Sequence, residues 1–216
     1  MLKKYKTIFQ QAEAEIIEKK SRFIATVKPV KKEEEARLFI DEMKKKYWNA
    51  THNVFAYQLG ESNDIQRCSD DGEPSNTAGK PILDILMNED IKNVAVVVTR
   101  YFGGTLLGTG GLIRAYSKAA KQGLIAANIV EKILYIQFSI ITDYTLSGKV
   151  QYEILQMQTV LQDTSYTHEV EYIVLVELEQ SELFYKKLIE VSAGKVKIKR
   201  KQKLYGIWVN GELFVE

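Results

Sequence analysis

The chain has 216 residues, which at about 150 per domain means one large domain or two small ones. Its 45% apolar and 27% charged residues, with 3 Pro and 13 Gly, exclude the disordered, collagen-like and low-complexity classes. A single cysteine, Cys68, excludes an intramolecular disulfide and, with only two histidines, a Cys/His zinc module; a reducing, intracellular setting is expected.

No run approaches the roughly 18 consecutive apolar residues a membrane helix needs, so no membrane partner is expected. MLKKYKTIFQ runs into QAEAEIIEKK rather than an apolar segment, so a secretory signal is not expected either. The net charge of +2 is uninformative in bulk, and an electrostatic argument rests on where the charges sit.

Residues 7–10, 14–17 and 22–27 read as short strands of a small antiparallel sheet, with Phe23, Ala25 and Val27 alternating on a half-buried face. After Pro29, residues 32–47 carry Ala36, Phe39, Ile40 and Met43 at helical spacing. Glu33 to Glu35 at the start of this helix and Lys44 to Lys46 at its end complement its dipole. A strand is predicted over 53–59, a short helix with proline in its first turn over 81–87, and a buried β-branched strand over 94–101. A glycine-rich turn leads from that strand to a helix over 112–127 with Leu112, Ile113, Tyr116, Ala119, Ala120 and Leu124 on its packed face.

A joint is expected near 128–134, giving domains 1–133 and 134–216. Beyond it the pattern predicts a strand over 134–142, a helical stripe from Leu146 to Leu161, a short strand near 164–167 and an alternating strand from Val170 to Leu178. Ser181 is expected to cap a helix ended by Gly194, and a last strand covers 195–204. That β-α-β-β-α-β order is the ferredoxin-like arrangement, so the fold class is α+β in two domains. Residues 1–136 hold 21 Lys+Arg against 17 Asp+Glu, and 137–216 hold 9 against 11. Six of those nine cations, Lys195, Lys197, Lys199, Arg200, Lys201 and Lys203, fall in the last strand.

Candidate chemistry concentrates in NATHN (49–53), SDDGEPSNTAGK (69–80) and TRYFGGTLLGTGGLIR (99–114). In the third, a strand ends at Arg100 and a loop including Gly104 and Gly110 opens a helix. Its backbone amides, with Arg100 and Arg114, either hold a phosphate or simply let a tight crossover pack. Asp70, Asp71 and Glu73 form either a Mg²⁺-chelating or acid/base set or a solvated turn. Lys80 adds a cation, and His52 is an acid/base, a phosphate donor or a structural histidine. No nucleophile motif surrounds Cys68 or any serine, which removes covalent catalysis. In the last strand, alternation puts Lys195, Lys197, Lys199, Lys201 and Lys203 on one face, either as edge protection or as phosphate-backbone contacts, with Tyr205 and Trp208 nearby as packing or stacking aromatics.

The stretches SRFIA (21–25), ATHNVFAY (50–57), DDGEPSNTAGKPIL (70–83) and VVVTRYFGGTLLGTGGLIRAY (96–116) closely resemble the IMPACT/YigZ family. Residues 137 onward resemble the second domain of its bacterial members through element order. The resemblance implies a first domain like ribosomal protein S5 domain 2 and a ferredoxin-like second domain like domain V of elongation factor G. It also implies a cytoplasmic location and a role in the regulation of translation through RNA or the ribosome. Taken with the basic last strand, this favours a non-enzymatic binding module, with RNA, the ribosome or a protein partner in translation control as its partner and no cofactor expected. A phosphate-ester or nucleotide enzyme built on His52, Asp70, Asp71, Glu73 and Arg100, with Mg²⁺ as its ion, stands as the alternative by fold analogy. The oligomeric state stays open.

Overall fold

A computed structural model describes all of residues 1–216. The chain divides into two compact units, one of Met1 and Tyr5–Glu131, the other of Leu2–Lys4 and Lys132–Glu216. In chain order the elements are β1 (Lys4–Ile8), β2 (Ala12–Glu18), β3 (Ser21–Pro29), α1 (Glu33–Lys46), β4 (His52–Leu59), β5 (Ile65–Ser69), α2 (Gly79–Asn88), β6 (Val94–Tyr101) and α3 (Thr109–Ala126). They continue with β7 (Ile129–Thr142), α4 (Tyr144–Gln156), β8 (Val160–Tyr166), β9 (Val170–Glu177), α5 (Ser181–Val191), β10 (Lys197–Val209) and β11 (Glu212–Val215).

The first unit is built on a five-stranded sheet in the order β2-β3-β6-β4-β5. Its central strand β6, VAVVVTRY, is buried from Val94 through Arg100, as its β-branched run demands of a strand covered on both faces. On one face α2 and α3 close a core that includes Phe23, Val96, Val98, Ile82, Leu86, Tyr116 and Leu124. On the other, α1 lays Ala36, Phe39, Ile40 and Met43 against Tyr57, Ala95 and Val97. The antiparallel register sets Arg100 opposite Phe23 on one neighbour and opposite His52 on the other. Cross-strand partners share a face, so Arg100 continues the Val96–Val98 stripe that α2 and α3 cover.

In the second unit β10-β7-β9-β8 gives the ferredoxin-like order, with β11 added as a hairpin beside β10. Both helices pack on one face, where Val150 and Ile154 of α4 and Phe184 and Leu188 of α5 meet Phe138, Ile140, Tyr172 and Val174. The α+β class and the two-domain layout expected from the sequence are found.

Several elements differ from expectation. β1 is not part of the β2–β3 sheet, and the amide of Leu134 binds the carbonyl of Lys3, which places residues 2–4 in the second unit. β7 begins at Ile129 rather than at 134, one residue after Asn128, which turns the chain at φ +56°, so the division between units, which lies within 128–134, falls inside a strand. α3 starts at Thr109, so Gly110 and Gly111 are helical. Leu161 lies on β8 rather than on the preceding helix. Ser181 is the first residue of α5, not its cap, and its hydroxyl donates to the carbonyl of Leu178.

Candidate functional site

Arg100 ends the buried stripe of β6 with its side chain 6% exposed, so its charge needs a partner inside the protein. Glu73, 3% exposed, supplies it: Nη1 of Arg100 donates to Oε1 at 2.6 Å. The hydroxyl of Tyr116, on α3, donates to the same oxygen at 2.7 Å. Nη2 of Arg100 reaches the hydroxyl of Ser21 at 3.4 Å, and the guanidinium lies 5.3 and 5.5 Å from the ring centroids of Phe23 and Phe102. Its Nε is buried without a hydrogen-bond partner.

The loop between β5 and α2 is shaped to deliver Glu73. Asp70 Oδ1 accepts from the amides of Ala78 and Gly79 at 3.0 and 2.8 Å, and Oδ2 accepts from that of Asn76 at 2.8 Å, tying the loop to the start of α2. Asp71 and Gly72 then turn the chain in the left-handed region, at φ +47° and +90°. The Asp71 carboxylate accepts from the amide of Asn53 at 2.6 Å and pairs with Lys44 at 3.1 Å. Its carbonyl accepts from His52 Nδ1 at 2.8 Å. A carbonyl can only accept, so the neutral ring carries its proton on Nδ1 and leaves the Nε2 lone pair 3.8 Å from Glu73 Oε1.

Of these groups His52, Glu73 and Arg100 line a cleft of about 490 Å³ whose other walls include Gly72, Pro74, Phe102, Leu106, Leu107 and Leu112, with Gly108 and Thr109 at the start of α3. An apolar cleft with a few convergent polar groups is the usual form of a small-ligand site. The close approach of two loops fixes its mouth: a side chain on Gly103 would begin 2.1 Å from the carbonyl carbon of Lys20, and the Gly103 amide donates to Ser21 Oγ at 3.1 Å.

The structure therefore gathers His52, Glu73 and Arg100 and leaves other candidates elsewhere. Asp70 holds the loop by its amides, Asp71 meets Asn53 and Lys44, and Glu73 meets Arg100 and Tyr116. The three carboxylates thus face three different sets of partners, and no group of three or more metal-ligating side chains gathers anywhere in the chain. Lys80 pairs with Asp84 one helical turn on, half-exposed. Gly104 holds the loop at φ +81°, Gly110 lies in the first turn of α3, and neither is among the cleft residues. Arg114 lines a separate hollow with Lys19 and Lys118. The helical spacing of Tyr116 marks it only as a packing residue, but a buried tyrosine hydroxyl needs a partner, and Glu73 is that partner.

On the second unit, Lys195 precedes β10 in the turn after Gly194, its amide donating to the carbonyl of Ser192. The expected five-lysine face is interrupted by a bulge between Arg200 and Lys203. Lys197 and Lys199 face the same way as Ile141 and Ser139, whereas Arg200 and Lys203 sit opposite Phe138 and Ile136 on the helix-covered side. Lys197 pairs with Glu169, Lys201 with Glu171 and Arg200 with Glu182. Trp208 Nε1 donates to the hydroxyl of Tyr135, and the Tyr205 hydroxyl donates to the carbonyl of Leu2.

Two stability predictions follow from the buried cluster. Glu73→Ala strands Arg100 as an unpaired buried charge and is expected to cost about 3–5 kcal/mol in urea denaturation, more than Glu73→Ala combined with Arg100→Met. An equal or smaller loss in the single variant would contradict the ion-pair account. Burial, and then the hydrogen bond to Glu73, hold the Tyr116 phenol far above its ordinary 10.0. The unfolded chain can therefore release this proton above about pH 10 while the folded chain keeps it, so the associated stability is present below that pH and is lost as pH rises. Above about pH 10, wild type is expected to lose up to about 1.4 kcal/mol per pH unit more than Tyr116→Phe, and parallel denaturation profiles would overturn this.

Residues 19–124 match the Impact N-terminal domain family, and residues 140–195 match a domain family named DUF1949. The IMPACT family member YvyE of Bacillus subtilis is 43% identical over 205 residues, covering 95% of this chain and 94% of the relative. YigZ of Escherichia coli is 38% identical over 128 residues, 58% of this chain and 63% of its own. Protein IMPACT of Mus musculus is 39% identical over 98 residues, 43% of this chain and 30% of its own. A solved structure titled as a hypothetical protein aligns over 94% of this chain and 99% of its own at TM-score 0.59 and 27% identity.

Proposed function

The chain belongs to the IMPACT family, and from that premise we propose that it is a non-enzymatic regulator of translation acting in the cytoplasm, binding RNA or the ribosome through basic surfaces. The observation that carries this reading is the half of β10 from Lys197 to Lys203. β7 is its only strand partner there, since β11 pairs no earlier than Gly206. Lysine on such an edge discourages strand addition and can also meet a phosphate backbone. The pairs of Lys197, Arg200 and Lys201 are all solvent-accessible, and such ion pairs contribute little and exchange readily for a phosphate. A protein partner in translation control is compatible with the same surface.

The expected result is salt-sensitive binding to ribosomes or ribosomal RNA that weakens when Lys197, Lys199 and Lys201 become Glu. Each lost phosphate contact lowers the salt slope by roughly 0.7 on single-stranded RNA. Binding and slope unchanged in the triple variant would remove β10 from the interface.

The convergence of His52, Glu73 and Arg100 in one cleft favours a second reading, a phosphate-ester or nucleotide enzyme. His52, held by the Asp71 carbonyl, would act as the base through Nε2 while Arg100 and the first amides of α3 steady a phosphate. It requires turnover of a phosphate ester, with or without added Mg²⁺, that His52→Ala abolishes. A nucleotide and phosphoester panel left intact by the wild-type protein would exclude it.

A further inference from the structure

Arg114 and Lys118 stand one turn apart on exposed positions of α3, a like-charged spacing that repels unless an anion bridges it. They line a hollow of about 210 Å³ with Lys19, at the β2–β3 turn, Glu18, Leu107, Gly111 and Ala115. Glu18 is the one acid in that lining, and neither Lys19, Arg114 nor Lys118 forms an ion pair with any carboxylate. Lys20 and Lys121, also exposed and unpaired, extend the patch. This differs from β10, where three of the cations already hold carboxylates.

The hollow and the His52–Glu73 cleft are neighbours. Leu107 lines both, and the first turns of α3 turn Thr109 and Leu112 toward the cleft while Gly111, Arg114, Ala115 and Lys118 face the hollow. The cleft has the apolar walls and the polar end that a nucleobase needs. Phe102 is 45% exposed, its ring steadied by Arg100, and Leu106 is 83% exposed at the rim. Glu73 uses Oε1 on Arg100 and Tyr116, which leaves Oε2 as an acceptor, and His52 Nε2 lies 3.8 Å from the occupied Oε1.

We propose that the first unit binds single-stranded RNA, with backbone phosphates on Lys19, Arg114 and Lys118 and one unstacked base in the adjoining cleft beside Phe102. The inference rests on the RNA-binding reading above and places a contact on a different unit from β10. Phosphates are met most directly by cations without partners, a base needs an aromatic face and edge hydrogen bonds, and a duplex offers no free base to the cleft. The partner is therefore single-stranded rather than paired RNA or an acidic protein.

The test is fluorescence anisotropy of the full chain with a labelled oligouridylate of roughly a dozen nucleotides, titrated with salt and compared with a duplex of equal length and with polyglutamate. Lys19→Glu/Arg114→Glu/Lys118→Glu is expected to weaken binding at least tenfold and to flatten the salt slope by about 2, three contacts at roughly 0.7 each. Phe102→Ala is expected to lose about five- to a hundredfold with the slope unchanged, as the loss of one stacked base predicts. All four positions are exposed, and a thermal melt confirms that each variant folds. Affinity and slope unchanged in the triple variant, with Lys197→Glu/Lys199→Glu/Lys201→Glu alone impaired, would overturn this inference and leave RNA binding by β10 standing. Duplex or polyglutamate binding as tight as the single strand would overturn it in favour of a general polyanion or protein surface. Absence of wild-type binding to every RNA at low salt would overturn both.

Discussion

Arg100 sits on the most buried strand of the first unit, where a guanidinium costs several kcal/mol unless a carboxylate and further hydrogen bonds meet it. Much of the local architecture follows from that need. Glu73 must come from outside the sheet, so the loop from Asp70 to Gly79 folds back over the end of β6, anchored through Asp70 and turned at Asp71 and Gly72. Tyr116 must come from α3, so the helix packs close enough for its ring to meet Phe23 edge-on at 5.1 Å. A well-packed apolar set at the same place would stabilise the fold as well or better. What the ion pair adds is a fixed, oriented polar floor to a cleft that is otherwise apolar.

The two units solve the problem of charged surface differently. In the second, cations on β10 meet acids from α5 and from β9 and the turn before it, and the bulge divides them between the two faces of the sheet. In the first, the cations around the start of α3 pair with no carboxylate, Glu18 beside them included, and the helix N-terminus adds its own positive end. Net charge does not distinguish these arrangements, because a paired lysine and an unpaired one count equally in it. The unpaired set holds the stronger unbalanced field toward an arriving anion.

How much was legible in the sequence depended on whether the signal was local. The periodic elements were: Ala36, Phe39, Ile40 and Met43 are buried on α1, and Val94–Tyr101 is the strand its β-branched run predicts. β5 was not, since IQRCS has no apolar alternation and forms by pairing with β4. Strict alternation fails on the lysine face of β10 because a bulge shifts the period by one residue, and a bulge depends on the partner strand as much as on the strand itself. The glycines after β6 look like one loop by composition, yet two of them are helical, with Gly111 closing on Leu107.

The candidate site shows the same division at the level of chemistry. Each of the polar segments 49–53, 69–80 and 99–114 stands out by composition, but composition assigns no geometry within a turn. The neighbours Asp70, Asp71 and Glu73 therefore looked like one ligand set. Their backbone conformations send them to an amide cap, to Lys44 and to Arg100 respectively. His52, distant in sequence, joins Glu73 because the antiparallel register of β4 on β6 sets it opposite Arg100. The polar end of the cleft is thus a consequence of strand pairing. Its chemistry depends on one proton arrangement, with Tyr116 neutral and donating, His52 protonated on Nδ1, and Glu73 ionised between the phenol and the guanidinium. In that arrangement the cleft offers an incoming ligand two acceptors, the second Glu73 oxygen and His52 Nε2, which suit an N–H donor on a base edge better than a bare phosphate. The cations that would take the phosphate lie on the next face of α3, so the two halves of a nucleotide are matched by two adjacent hollows rather than by one.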